Sequence, residues 1–248
     1  VAEGYDAHYS SFTHKRENAI IAHLLEVYAR GFRVRSFVDL GCGTGLLLDL
    51  IKLGNRHYRG VDVSSQMIAQ AITKHPVSSQ VRYYVDDMFH HTFTVYPNTP
   101  HPTLVASLFA IQYTQHALST LLHFIEEGTP FFFVLAQGET GQEVEEVAGV
   151  RREVVVQRHT MQTVHTQLHN VADYHIRGLT PRGDGDIKEI EIYHPDACKY
   201  LIVKGIRRTK TAQAVDVPQV QEPVRTVFDQ IGEMMDFAIT EEYKKYVK

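Results

Sequence analysis

The sequence predicts an α/β protein with a doubly wound, mostly parallel sheet and an antiparallel embellishment toward the C-terminus. Three observations carry this. Up to Leu135, short apolar or β-branched runs alternate with stretches of helical apolar spacing. A glycine-rich turn, Gly41-Cys42-Gly43-Thr44-Gly45, joins one such run to the helical stretch after it. Beyond Gly138 the alternation gives way to closely spaced strand-like runs. Strands alternating with helices imply a parallel sheet covered on both faces. The 248 residues, 44% of them apolar, suffice for one sizeable core.

The elements follow in order. Residues 16–28 place Ala19, Ile20, Ala22, Leu24, Leu25 and Val27 at helical spacing, with Gly31 as a stop. Ser36 to Leu40 is a short strand, and residues 46–53 resume helical spacing up to Gly54. Residues 58–63 form a second strand, and Ser64 and Ser65 open a helix whose free amides they can cap. Val81 to Val85 is a third strand and residues 103–110 a fourth, separated by a Pro-, His- and Thr-rich loop over residues 90–102. Residues 115–127 read as a helix closed by Gly128, and residues 131–135 as a fifth strand. After Gly138 the reading is a helix over residues 139–148, then strands over 153–156, 162–168, 187–193 and 200–206, with a turn at 181–185. A helix over residues 224–237 and a charged tail complete the chain.

Composition excludes several function classes. The formal charge of −4 gives no overall pull toward a polyanion, although a sum can hide a local basic patch. Cys42 and Cys198 lie too far apart to read as a zinc or redox pair, which points to a reducing compartment. No apolar run approaches the roughly 18 residues that span a bilayer, and residues 1–10 lack the basic-then-apolar order of a signal peptide. A soluble, cytoplasmic protein without a membrane partner is expected. The 15 histidines include no HExxH arrangement and read as surface or hydrogen-bonding residues, so no metal is assigned.

The chemistry gathers where strands end. Glycines let a loop backbone turn left-handed and approach a ligand closely, and the following helix offers amide donors. The dinucleotide fingerprint GxGxxG spaces its third glycine three positions after the second, whereas this loop is GxGxG with Asp39 two residues ahead, which argues against NAD. Three glycines alone also suit tight packing. Asp62 ends the second strand, where a carboxylate can accept two ribose hydroxyls or cap the next helix. Asp86-Asp87-Met88 follows the third strand, and Ser107 to Tyr113 closes the fourth. Open parallel sheets bind ligands at the carboxyl ends of their strands, so the four segments meet on one edge.

The stretch Val38 to Gly45 resembles motif I of the class I, Rossmann-like S-adenosylmethionine-dependent methyltransferases. Val63-Ser64-Ser65-Gln66-Met67-Ile68 is similar to the continuation that family carries after its ribose-binding acid, and Asp87-Met88 to its adenine-binding motif. The resemblance covers residues 34–135. It implies a seven-stranded sheet and S-adenosylmethionine as cofactor, with Asp39 at the ligand's ammonium, Gly41, Gly43 and Gly45 clearing its space, Asp62 at the ribose, Asp87 and Met88 at the adenine, and Ser107 beside the meeting of cofactor and acceptor. The chain is then one domain: an N-terminal helical lid over residues 1–33, a cofactor-binding core over 34–138, and a strand-rich acceptor-side extension over 139–248.

Methyl transfer from a sulfonium is an in-line displacement served by positioning, with a base needed only where the acceptor must lose a proton. Tyr113 and His116 are the catalytic candidates, and Tyr5, Tyr9, Phe109 and Gln112 the candidates for holding the acceptor. The acidic balance favours a small-molecule acceptor methylated at N or O. RNA is the second reading, because Ser107 to Tyr113 resembles the Q-F-A-I/L-H-Y segment of mRNA cap guanine-N7 methyltransferases; Gln112 replaces that family's His and Thr44 its loop Lys. A third reading is a non-catalytic cofactor-binding regulator, since a fold does not guarantee a function.

Overall fold

The computed structural model describes residues 12–89, 102–114, 118–147, 150–179 and 198–209, with backbone alone for 12–14, 143–147 and 150–154. The chain divides into two compact units, Val1–Thr209 and Lys210–Lys248, and the second lies outside the described residues. So do the expected strand over 187–193, the turn at 181–185, the helix over 224–237 and most of the loop over 90–102.

Helix α1 (Phe12–Gly31) leads into β1 (Ser36–Leu40), the glycine loop and α2 (Leu46–Leu50). Then come β2 (His57–Asp62), α3 (Ser65–Lys74), β3 (Val81–Val85) and β4 (Thr103–Leu108). A single 3-10 turn (Ile111–Tyr113) and α4 (Leu118–His123) precede β5 (Pro130–Ala136). All residues of β1, β4 and β5 are buried, as expected of central parallel strands covered on both faces. Ser64 caps α3 by accepting the Met67 amide, and Ile68 and Ala71 turn inward from that helix.

The seven-stranded sheet has the order β3-β2-β1-β4-β5-β9-β8. Its first five strands are parallel, and β9 (Tyr200–Arg207) runs antiparallel to both β5 and β8 (Ala172–Leu179). Strand order reverses between β1 and β4, so the loops after those strands diverge and leave a crevice at the carboxyl edge. Phe131 and Phe133 stack at 4.9 Å in a core continued by Leu121, Leu122, Leu201 and Val203.

The sequence reading departs from the structure mainly after Gly138. Residues expected as a helix over 139–148 form β6 (Gly141–Val147), which pairs antiparallel with the valine-rich β7 (Val150–Val156) in a separate two-stranded sheet. There, pairing overrides local helix preference. Residues 162–168, expected as a strand, form α5 (Met161–Leu168). Thr160 accepts the Thr163 amide at 3.1 Å while the Thr163 hydroxyl accepts the Thr160 amide at 2.9 Å, a reciprocal cap that starts a helix despite its β-favouring residues. Val164 and Leu168, four apart, bury its one apolar face. Strand β8 was not expected, because as an edge strand it carries His175, Arg177 and Asp173 among few apolar residues. Of the helix expected over 115–127, Leu118–His123 forms α4, and residues 115–117 lie outside the described residues. Among the described residues no helix is long and apolar enough to cross a membrane.

Candidate active site

The glycine loop is held against the end of β2. The amides of Gly41 and Cys42 both donate to the Val61 carbonyl, at 2.8 and 3.0 Å, and the Gly43 amide donates to Asp62 Oδ2 at 2.9 Å. Gly41, Gly43 and Gly45 all have left-handed backbone, φ 68°, 53° and 91°. A Cβ on Gly41 would collide with Ala110 Cβ, whereas one on Gly43 would enter open space. The first glycine thus permits close packing of the loops after β1 and β4, and the second leaves a face clear. Gly45 starts α2 beside the His75 ring, which lies 3.0 Å from where its Cβ would be.

A cleft of about 440 Å³ opens beside this loop, lined by Gly41, Asp62, Asp87, Met88, Ala110 and Tyr113 among others. Its size falls in the range of small-molecule sites, about 300–1,000 Å³, and its mix of apolar wall and convergent carboxylates is the usual composition. The ends of β1, β2, β3 and β4 all contribute to it, as the sequence analysis anticipates. Asp62 Oδ1 accepts the Ser64 amide at 2.8 Å, so both of its oxygens already hold backbone. Each carboxylate oxygen has a second lone pair free for a ligand hydroxyl. Asp87 Oδ1 accepts the Phe89 amide at 2.9 Å, and Asp86 accepts the Asp87 amide at 2.8 Å, which fixes the turn presenting Asp87 and Met88. Tyr113, 42% exposed, stands at the rim.

Other expected residues lie away from the cleft lining. Asp39 is 2% exposed within β1 and accepts the Tyr58 hydroxyl at 2.8 Å. Burial pushes its carboxyl up to about 7; the Tyr58 hydrogen bond pulls it down and the neighbouring Asp62 charge adds to the rise. Ser107 is fully buried and donates to the Leu40 carbonyl at 2.8 Å, so its hydroxyl ties β4 to β1 rather than facing a ligand. Phe109 has left-handed backbone at φ 60°, and its ring meets Tyr200 edge-on at 4.9 Å. Gln112 is the middle residue of the 3-10 turn and is buried. Tyr5, Tyr9 and His116 lie outside the described residues.

Tyr58 escaped the sequence reading. Its hydroxyl reaches Asp39 past Gly60, the residue paired with Asp39 in the β1–β2 register. A Cβ at Gly60 would fall 2.7 Å from Cys42 Sγ and 3.0 Å from the Tyr58 hydroxyl. A glycine inside a strand is the signal for such close approach. Two further groups were also missed. Glu17, 1% exposed on α1, takes Lys199 Nζ at 3.2 Å on one oxygen, and His159, 3% exposed, precedes α5.

The raised Asp39 value has a measurable consequence. Between the ordinary Asp value and about 7, the folded chain holds a proton that the unfolded chain has released. The unfolded state then binds fewer protons, and stability falls as pH rises through that window. The ligand-free melting temperature should therefore decline from pH 5 to pH 7.5, and Asp39→Asn should flatten that slope. An identical slope in the variant would show that Asp39 is not the titrating group.

A family model described as a methyltransferase domain matches residues 37–127. No curated protein matches the sequence. Among solved structures, an S-adenosylmethionine-dependent methyltransferase of Clostridium acetobutylicum is similar with TM-score 0.55 and 12% identity, over 78% of this chain and 92% of that one. The N-methyltransferase NodS of Bradyrhizobium japonicum, in complex with S-adenosyl-L-homocysteine, is similar with TM-score 0.51 and 13% identity, over 80% and 89%. An amino pentose methyltransferase of Micromonospora echinaspora, with S-adenosylmethionine bound, is similar with TM-score 0.51 and 15% identity, over 82% and 96%. At these identities the likeness is one of fold.

Proposed function

We propose that the chain is a class I S-adenosylmethionine-dependent methyltransferase that moves a methyl group from that cofactor to a nitrogen or oxygen of a small-molecule acceptor, a reading supported by the methyltransferase-domain match over residues 37–127. The observation that carries this reading is the convergence of Gly41, Asp62, Asp87 and Met88 at one cleft, with the Gly43 amide bonded to Asp62. The donor set fits the group: two carboxylates for hydroxyl and amino donors, an apolar wall for a flat ring, and a glycine face for close approach.

When bound, S-adenosylmethionine supplies a methyl group made electrophilic by its sulfonium. Asp62, which holds the Gly43 and Ser64 amides, would accept the ribose hydroxyls on its remaining lone pairs, and Asp87, which holds the Phe89 amide, would accept the adenine amino group. Asp39 is buried in β1 just before the loop, and a cation bound near it would favour its ionised form. Tyr113, at the rim, is the described residue in position to orient the acceptor. Excluding water and fixing the line of attack supply most of the expected acceleration.

Calorimetry with S-adenosylhomocysteine tests the reading. A dissociation constant in the micromolar range is expected, tightening as pH rises toward 7 while Asp39 is still gaining its charge. No heat at millimolar ligand would overturn it, since the gap to micromolar is about 4 kcal/mol. RNA binding with steep salt dependence would instead favour the cap-type reading.

A further inference from the structure

At the amino edge of the sheet, across from the strand ends that form the cofactor cleft, a second cavity of about 270 Å³ opens between the end of α1 and the turns that enter β1 and β2. Four of its seven lining residues are arginines, Arg30, Arg33, Arg35 and Arg56, and none of the described residues lining it is acidic. The formal charge of −4 conceals this local basic patch.

One of the four charges is cancelled among the described residues. Arg56 donates to both Glu26 oxygens, at 3.0 and 2.5 Å, and lies over the Phe37 ring at 4.9 Å. Glu26 stands one turn before Arg30 on α1, but Arg56 takes both its oxygens. Arg35 donates to Asn55 Oδ1 at 2.9 Å, a neutral partner that orients the guanidinium and leaves its charge intact. Arg30 and Arg33 are exposed and make no ion pair among the described residues.

The carbonyl end of α1 accounts for a cation at Arg30. It does not account for Arg35, which lies beyond the helix, or for Arg33, which holds left-handed backbone at φ 52°. The Arg33 amide donates to the Arg30 carbonyl and the Val34 amide to the Ala29 carbonyl, both at 2.9 Å, so the turn that ends α1 carries Arg33 to the cavity wall. Glycine or asparagine is the usual residue in such a turn, and an arginine there is unfavourable for the backbone.

We propose that this cavity is an anion site that takes a phosphate monoester or diphosphate group carried by a small molecule. Three uncancelled like charges beside one cavity repel one another, and a multiply charged anion relieves that repulsion. The planar fork of arginine meets phosphate oxygens two at a time. The volume falls just below the range of drug-sized ligand sites, about 300–1,000 Å³, which suits a compact charged group. The negative charge of the whole chain disfavours a long polyanion. Because the cavity lies at the other ends of β1 and β2 from the cofactor cleft, the site stands independently of the methyltransferase reading.

Pyrophosphate, malonate and a single-stranded oligoribonucleotide serve as probes, titrated by calorimetry into the full chain in low-salt buffer free of divalent cations, with and without saturating S-adenosylhomocysteine. Pyrophosphate should bind at least about tenfold tighter than malonate, weaken as sodium chloride is added, and keep its affinity within about twofold when S-adenosylhomocysteine is present. Arg33→Asn and Arg35→Gln should each weaken pyrophosphate by about threefold, and the two together by about tenfold or more. Arg33→Asn should meanwhile hold or raise the ligand-free melting temperature, because asparagine adopts left-handed backbone more readily. Arginines that are merely solvated predict pyrophosphate affinity unmoved by the double substitution. That result, or a parent chain that binds pyrophosphate no tighter than malonate, overturns the site. An oligoribonucleotide that binds tighter than pyrophosphate and is lost in the double variant overturns the small-phosphate assignment in favour of a nucleic-acid surface. Absent S-adenosylhomocysteine binding with pyrophosphate binding intact counts against the cofactor reading and leaves the anion site standing.

Discussion

Gly41→Val is expected to be the most damaging single change in the described chain. Its backbone sits at φ 68°, where a non-glycine residue costs about 1–2 kcal/mol, and its new Cβ would collide with Ala110. Ala110 follows a fully buried strand and cannot retreat freely, so overpacking adds about 1–3 kcal/mol. The sum, about 2–5 kcal/mol, lowers the melting temperature by on the order of 5–15 °C. Gly43→Val is the control: its Cβ meets nothing within 4 Å, so the sheet should stay folded while cofactor binding is lost. Equal destabilisation by both substitutions, in thermal melts of purified protein, would contradict this division of labour within the loop.

Asp62→Ala should cost stability and affinity together. The sequence alone suggests two exclusive roles, ribose acceptor or helix-start cap, and an expectation that binding and stability separate. The structure corrects that, because Asp62 holds the Gly43 amide with one oxygen and the Ser64 amide with the other. Losing two charged hydrogen bonds at a half-buried site should cost about 1.5–3 kcal/mol of stability. S-adenosylhomocysteine affinity should fall by roughly 10- to 100-fold, since the loop and the ribose contact are lost together. Asp62→Asn keeps one acceptor oxygen and should recover part of both. A variant that loses stability while binding the ligand with parental affinity would remove Asp62 from the ribose role.

That the ends of β1 to β4 meet at one cleft was legible because the pattern is local. Each segment sits within a few residues of a strand end, and parallel strands carry those ends to one edge. Ser107 misled because a hydroxyl at a strand end looks available, whereas β4 is the central strand of the seven and its side chains are buried to Leu108. The Asp39–Tyr58 pair and the Glu17–Lys199 pair were illegible for the opposite reason. They join residues 19 and 182 positions apart, and only the sheet register brings them together. Strand β8 and helix α5 were misread where edge polarity and a threonine cap overrode the apolar pattern.

The antiparallel strand β9 also governs how the chain must assemble. It is the last described strand in sequence yet lies inside the sheet, pairing along all seven residues of β5, from Pro130↔Ile206 to Ala136↔Tyr200. Until that strand leaves the ribosome, β5 presents an open edge carrying Phe131, Phe132 and Phe133. Such edges template association between chains, and closing one across more than sixty intervening residues is slow because the loop entropy is lost before the contact forms. A nascent or truncated chain ending before Tyr200 is therefore an aggregation-prone species rather than a smaller working enzyme.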